Sequence, residues 1–448
     1  MKKTAVALCM SLMLGMFVGC SSGGSAPGGQ NAASGGSAKS SGKQVEVEFY
    51  YPVQVGGAIA QLVESYASDF AAENPDIKVS PVFSGGYADT LQKLITAIQA
   101  DNQPQFCILA NPTILTLISM DAIIPLDDLI NKDGGSEYIN DFYPGFMANS
   151  VFDGKVWSIP FQRSALLMFY NRDHFREVGL DPEKPPKSWE EMAEYGQKLT
   201  KFDQNGNVQR WGLLIPSGGA WDFGPFAIAN SANGENLMTD DGRKCLLDTP
   251  ENVEALQYLK DLGTVYKASP EGVVDMATAP ANFIEGKASM IQVSSGNLAN
   301  INSSADFDWG ICLLPYTKRP ASIAGGGNLY LMKGSSEEEL DATWRFVRWL
   351  TEPERQAQWN VDTGYIAARK SAHETETMRK YYEEVPQAKI GFEQLESCYN
   401  EMRVYESEKI GNALTDKYDA VMTGSLTVEE ALKELQAFAD ETLAPYNK

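Results

Sequence analysis

A chain of 448 residues with 43% hydrophobic and 21% charged side chains has material for two lobes, each with its own core. Its 59 acidic residues against 37 basic ones leave a formal net charge of −22. That excess argues against nucleic acid as a partner, since a phosphate backbone demands clustered Lys and Arg. It also disfavours adsorption onto anionic lipid.

The N-terminus reads as an address rather than a fold. Lys2 and Lys3 precede an apolar run over 4–18 that is too short to span a bilayer comfortably, the pattern of an export signal over 1–19. The stretch Phe17-Val18-Gly19-Cys20 resembles the lipobox of bacterial lipoproteins, with Phe17 where that pattern usually has Leu. The resemblance implies cleavage before Cys20 and a lipid on its sulfur. Residues 21–42 are almost entirely Ser, Gly, Ala, Pro, Gln, Asn and Lys. Such a segment has no apolar area to bury and is expected to act as a tether reaching roughly 25 Å from the bilayer.

Beyond it, 45–51 alternates as a strand, and Ile59, Leu62, Val63, Tyr66 and Phe70 recur at helical spacing until Glu73-Asn74-Pro75. A strand at 77–83, a loop at Ser84-Gly85-Gly86-Tyr87, a helix marked by Leu91, Leu94, Ile95 and Ile98, and a strand at 106–109 follow. The order β-α-β-α-β predicts a parallel, doubly wound layer. Ligands sit at the carboxyl ends of such strands, which singles out Tyr51, Tyr87 and Asn111. Two strands, 154–160 and 164–170, are expected to cross into a second lobe. Ser188-Trp189-Glu190-Glu191 caps a helix to about Leu199. The stretch 202–207 has some calcium-loop residues but lacks Gly at the sixth place and an acid at the twelfth, where Leu214 stands; Asn205-Gly206 instead predicts a hairpin. A strand over 288–293 stops at Ser294-Ser295-Gly296 and restarts as a helix at Asn297. That turn gathers backbone N–H groups and two hydroxyls at one spot, although Ser295 as a mere helix cap reads equally well. From Ser335 onward the chain is mostly helical.

Enzyme signatures are missing: no GxSxG elbow, P-loop or HExxH occurs. His174 and His373 stand among charged residues and read as solvated. Among 59 acidic residues an accidental carboxylate pair is certain, so pairing carries no weight. Cys107, Cys245, Cys312 and Cys398 are each alone in their segments, which argues against a zinc site. One disulfide among them is compatible with export, without an assignable pairing. Tyr50, Tyr51, Tyr87, Trp157, Trp221, Tyr330 and Tyr365 lie near strand ends and Gly-flanked loops, where flat rings suit the apolar faces of sugars. Trp344 and Trp349 share one face of an amphipathic helix and read as core. Gly325-Gly326-Gly327 lets backbone approach a ligand closely.

Several short motifs in order resemble the family 1 extracellular solute-binding proteins of bacterial ABC importers. They are Phe70-Ala71-Ala72-Glu73-Asn74-Pro75, Phe169-Tyr170-Asn171-Arg172-Asp173, Gly179-Leu180-Asp181-Pro182, Ser188-Trp189-Glu190-Glu191, Phe283-Ile284-Glu285-Gly286-Lys287-Ala288 and Thr363-Gly364-Tyr365. Pro185-Pro186-Lys187 and Ser294-Ser295-Gly296-Asn297-Leu298-Ala299 are most similar to the glycerol-3-phosphate-binding branch. The resemblance implies a two-lobed α/β fold with a hinge and a helical C-terminal part. The lobes are expected over 44–155 with 294–334, and over 156–293 with 335–448. It further implies a monomer outside the cytoplasmic membrane that passes a small carbohydrate or polyol to permease subunits and touches the membrane through its lipid only. No cofactor or metal is implied, and no catalytic residue. The family's contact positions fall on Tyr87, Ser164, Trp221, Ser295, Gly326 and Tyr365. Asn111 stands where the branch has an acid, and Gly411 near where it has a phosphate-binding Arg. The rival readings are a lipid-anchored glycoside hydrolase and a surface carbohydrate-binding protein without transport.

Overall fold

The computed structural model describes residues 44–53, 55 and 58–447. The expected signal, Cys20 and the tether lie outside the described residues. The strands are β1 (Val45–Tyr51), β2 (Ile77–Phe83), β3 (Phe106–Ala110), β4 (Val151–Phe152), β5 (Lys155–Val156), β6 (Ile159–Asn171), β7 (Lys201–Phe202), β8 (Val208–Leu214), β9 (Ala288–Ser294), β10 (Trp309–Cys312), β11 (Ser322–Leu331) and β12 (Cys398–Asn400).

β1 pairs in parallel with both β2 and β3, as the β-α-β-α-β pattern predicts. Parallel neighbours need a crossover, and the helices Ile59–Glu73 and Tyr87–Gln99 supply it. The first of these buries Ile59, Val63, Tyr66, Ala67 and Phe70, the apolar stripe visible in the sequence. The sheet continues in the order β2-β1-β3-β11-β6-β9-β8-β7, with β10 beside β6 and β12 beside β11. β4 and β5 form a separate hairpin.

Two strands bind the two halves of this sheet together. In place of the expected pair at 154–160 and 164–170 stand the short β5 and a single thirteen-residue strand, β6, buried along its whole length. Its first half pairs antiparallel with β11 and its second half with β9 and β10. Gln162, Arg163 and Ser164 interrupt the apolar run without interrupting the strand, because the ladder to Gly325, Gly326 and Gly327 continues across them.

The core on the β1 side joins Phe49, Phe70 and Phe106 to Phe346 and Trp349. Phe49 and Phe106 stack at 4.5 Å, and Phe70 lies 4.9 Å from Phe346. Trp344 and Trp349 are core, as expected, but their helix, Glu337–Leu350, covers β1 rather than the second lobe to which 335–448 had been allotted. Helical periodicity marks which face is apolar, not which sheet it covers. The last helices, Ser407–Met422 and Val428–Leu443, do pack on each other and on the helices Ala220–Asn230 and Pro250–Thr264. Asn205-Gly206 forms the predicted hairpin: the Asp203 carboxylate accepts from the Asn205 and Asn207 amides at 2.8 Å.

Both histidines are half-buried and bonded inside the fold rather than solvated. His174 Nδ1 lies 3.1 Å from Ser289 Oγ, and His373 Nε2 lies 2.9 Å from the Ala367 carbonyl. Cys107, Cys245, Cys312 and Cys398 are free thiols, so the optional disulfide does not form.

Candidate ligand-binding site

A cavity of about 800 Å³ lies where the ends of β3 and β9 meet the crossing strands β6 and β11. Its wall is built by local devices. Gly85, at φ +84°, turns the chain into the helix Tyr87–Gln99, and Asp89 Oδ2 accepts from the Gly86 amide at 3.0 Å. Tyr87 thus stands at a helix start. Its hydroxyl donates to Gln162 Oε1 at 3.2 Å and lies beside that of Tyr365. Tyr365 follows Gly364, whose φ of +87° ends the helix Pro353–Thr363 in the left-handed conformation only glycine adopts at little cost. Burial pushes the Tyr365 hydroxyl up to about 12 and that of Tyr87 well above the usual phenol range.

The glycine run on β11 sets the opposite contacts. A Cβ on Gly325 would collide with the Trp221 ring, and one on Gly326 with the Gln162 carbonyl. Trp221 and Asp222 begin the helix Ala220–Asn230. The helix Thr278–Ile284 adds Pro280, Ala281 and Ile284 to the apolar part of the wall.

Of the residues singled out from sequence, Tyr87, Ser164, Trp221, Gly326 and Tyr365 line this cavity. Asn111 and Ser295 do not. Asn111 is fully buried and its Nδ2 donates to the Ala324 carbonyl at 3.0 Å, leaving Ala110 on the wall. Ser295 Oγ accepts from the Ala165 amide at 3.4 Å, tying β6 to the turn. Ser294 and Asn297 face the cavity instead, and it is Ser294 Oγ that accepts from the Gly296 amide.

Residues that sequence reading missed complete the wall: Asp222, Glu285, Gln292, Glu401 and Glu408. Gln292 had a signal, a polar side chain inside a buried apolar strand. The carboxylates had none. Burial pushes Asp222 up to about 7 and Glu401 likewise to about 7. No Lys or Arg lines the cavity among the described residues. Arg163 sits behind the wall, fully buried, donating to Asn328 Oδ1 at 3.0 Å and to the Ala324 carbonyl at 3.2 Å. Arg403 donates to the carbonyls of Ala148, Val151 and Asp240, likewise off the wall. No group of three or more His, Cys, Asp and Glu among the described residues is arranged to hold a metal ion.

Residues 65–387 match the family model of the bacterial extracellular solute-binding proteins. The chain belongs to that family. The sn-glycerol-3-phosphate-binding periplasmic protein UgpB of Escherichia coli K12 is 29% identical over 421 residues, 90% of this chain and 93% of its own length. Two solved structures share the fold at 22% identity and a TM-score of 0.78. One is the ABC substrate-binding protein Lmo0181 of Listeria monocytogenes with cycloalternan, matched over 90% of this chain and all of its own. The other is UgpB of Mycobacterium tuberculosis with glycerophosphocholine, matched over 91% and 99%. This solute-binding protein therefore has the two-lobed α/β fold that its motifs implied. Among its described residues no helix is long and apolar enough to cross a membrane.

Proposed function

We propose that this chain is the lipid-anchored binding subunit of an ABC importer and that its cavity captures a sugar, oligosaccharide or polyol derivative for the permease. The observation that carries the ligand class is the wall itself. Tyr87, Trp221 and Tyr365 offer rings; Ser164, Ser294, Gln292 and Asn297 offer hydroxyls and amides; no Lys or Arg among the described residues lines it. Rings with hydrogen-bonding groups at their edges suit polyhydroxylated ligands. The named relatives bind glycerol-3-phosphate, glycerophosphocholine and cycloalternan, so the family's cleft accommodates this range of chemistry.

A phosphate monoester fits this wall badly. A dianion out of water needs a cation or several donors, and both nearby arginines lie off the wall with their terminal guanidinium nitrogens turned to backbone carbonyls and Asn328. Calorimetric titration tests the reading. Glycerol-3-phosphate is expected to bind more weakly than about 100 μM, and a neutral oligosaccharide or polyol of a mixed panel tighter. A glycerol-3-phosphate dissociation constant near ~1 μM, about −8 kcal/mol, would overturn the preference.

The anchor rests on the Lys2-Lys3 start, the apolar run and Cys20. Metabolic palmitate labelling is expected to mark the wild type and miss Cys20→Ala. Equal labelling of both refutes the anchor.

A further inference from the structure

The cavity has a feature that a neutral sugar leaves unexplained. Asp222 is 1% exposed, yet it lines the cavity, and its Oδ2 lies against the Gly218 main chain without a well-formed hydrogen bond among the described residues. Its Oδ1 accepts from Gln292 Nε2 at 3.3 Å, and the same nitrogen lies 3.3 Å from the Asp222 carbonyl. That orientation of the amide leaves Gln292 Oε1, also buried, without a donor. Two adjacent acceptors thus wait at one end of the wall. Glu401 and Glu408 line the same cavity, as does Glu285. Glu401 raises the cost of ionising Asp222 through space, and Glu408 that of ionising Glu401, which the charge of Arg163 behind the wall opposes.

Burying a carboxylate with an unpaired oxygen costs several kcal/mol, and like charges around it add to that. A ligand hydroxyl can donate one hydrogen bond but leaves the charge uncompensated. A protonated amine donates up to three and supplies the charge. The place of Asp222 in the first turn of an eleven-residue helix favours its ionised form once such a partner is present. Trp221, the residue before it, lines the same cavity, and an indole ring attracts a cation.

From this geometry we infer that Asp222 and Gln292, with Glu401 and Glu408 on the same wall, form a seat for a protonated amine of the ligand. The solute is then an amine-bearing sugar or polyol. The inference rests on the solute-binding reading above and names the substrate class for that site.

Matched probes test it on the purified full chain. One pair is cellotriose and the β-1,4 glucosamine trisaccharide, which carries an amine in place of each 2-hydroxyl. The other is D-glucitol and 1-amino-1-deoxy-D-glucitol. Calorimetry at pH 7 is expected to show the amine of at least one pair binding tenfold or more tightly than its neutral partner. Asp222→Asn is expected to bring that ratio to about one. Glu401→Gln is expected to lower the ratio as well, and it serves if Asp222→Asn loses its native circular dichroism. A ratio of one or below in both pairs, with a neutral member binding, overturns the amine seat and leaves solute capture standing. Silence from all four probes overturns the seat and the carbohydrate reading together. An unchanged ratio in both variants overturns the assignment to these residues.

Discussion

Asp222 illustrates what a binding site costs the fold that carries it. Burial pushes its carboxyl from 3.8 to about 7. Between about pH 4 and 7 the native state therefore holds a proton that the unfolded chain has already released. Stability from this group is complete below pH 4 and is lost as pH rises through about 7. Asp222→Asn removes the titration. The variant is expected to be more stable than the wild type at pH 8 by roughly 1–3 kcal/mol, with the gap closing near pH 4. Urea midpoints at the two pH values check this, and an equal gap at both refutes it. His174, held down to about 4 by burial, works in the opposite direction but is common to both proteins and cancels. At this scale the sequence was readable where the feature is local. A glycine run, a tyrosine after a helix-ending glycine and a glutamine in an apolar strand are all visible in a few residues. Asn111 and Ser295 misled because the side of a turn that faces the cavity is set by distant partners, the Ala324 carbonyl for one and the Ala165 amide for the other.

Among the elements, β11 is the least tolerant of change where it meets β6. Gly326 sits at φ +96°, and a Cβ there would strike the Gln162 carbonyl. Gly326→Ala combines a disfavoured backbone with a collision against main chain, and is expected to cost about 3 kcal/mol or more. Guanidinium denaturation measures it; a loss below about 1 kcal/mol would show that β6 gives way. Gly411→Ala makes a control, since nothing lies within 4 Å of a Cβ there. The bounds of β1 and β2 followed from alternation and from the Gly and Pro around them. The continuity of β6 did not, because a polar trio in an apolar run reads as a break until the partner strand is known. Arg163 stays off the wall for a related reason. Successive side chains on a strand point to opposite faces, so Ser164 lines the cavity and Arg163 cannot.

For the molecule as a whole, β6 and β11 are the strands shared by both halves of the sheet, and the cavity lies beside their crossing. A ligand that contacts Tyr87 and Gly326 from one half and Trp221 and Gln292 from the other favours the closed arrangement by its differential contacts. Small-angle scattering at saturation is expected to show a smaller radius of gyration than without ligand. An unchanged profile, with binding confirmed by calorimetry, rules closure out. The same topology governs how the chain is made. β3 is flanked by β1, its near neighbour in the chain, and by β11, about half a chain length away. The helix that covers β1, Glu337–Leu350, comes later still. A nascent chain that stops short of Ser322 holds an open strand edge at Phe106–Ala110 and a bare aromatic face around Phe49, and loop closure over that distance is slow. The first third of the protein is thus no early-folding module. Until the last third arrives to seal them, that edge and that face stay open to the aggregation that late-closing sheets risk.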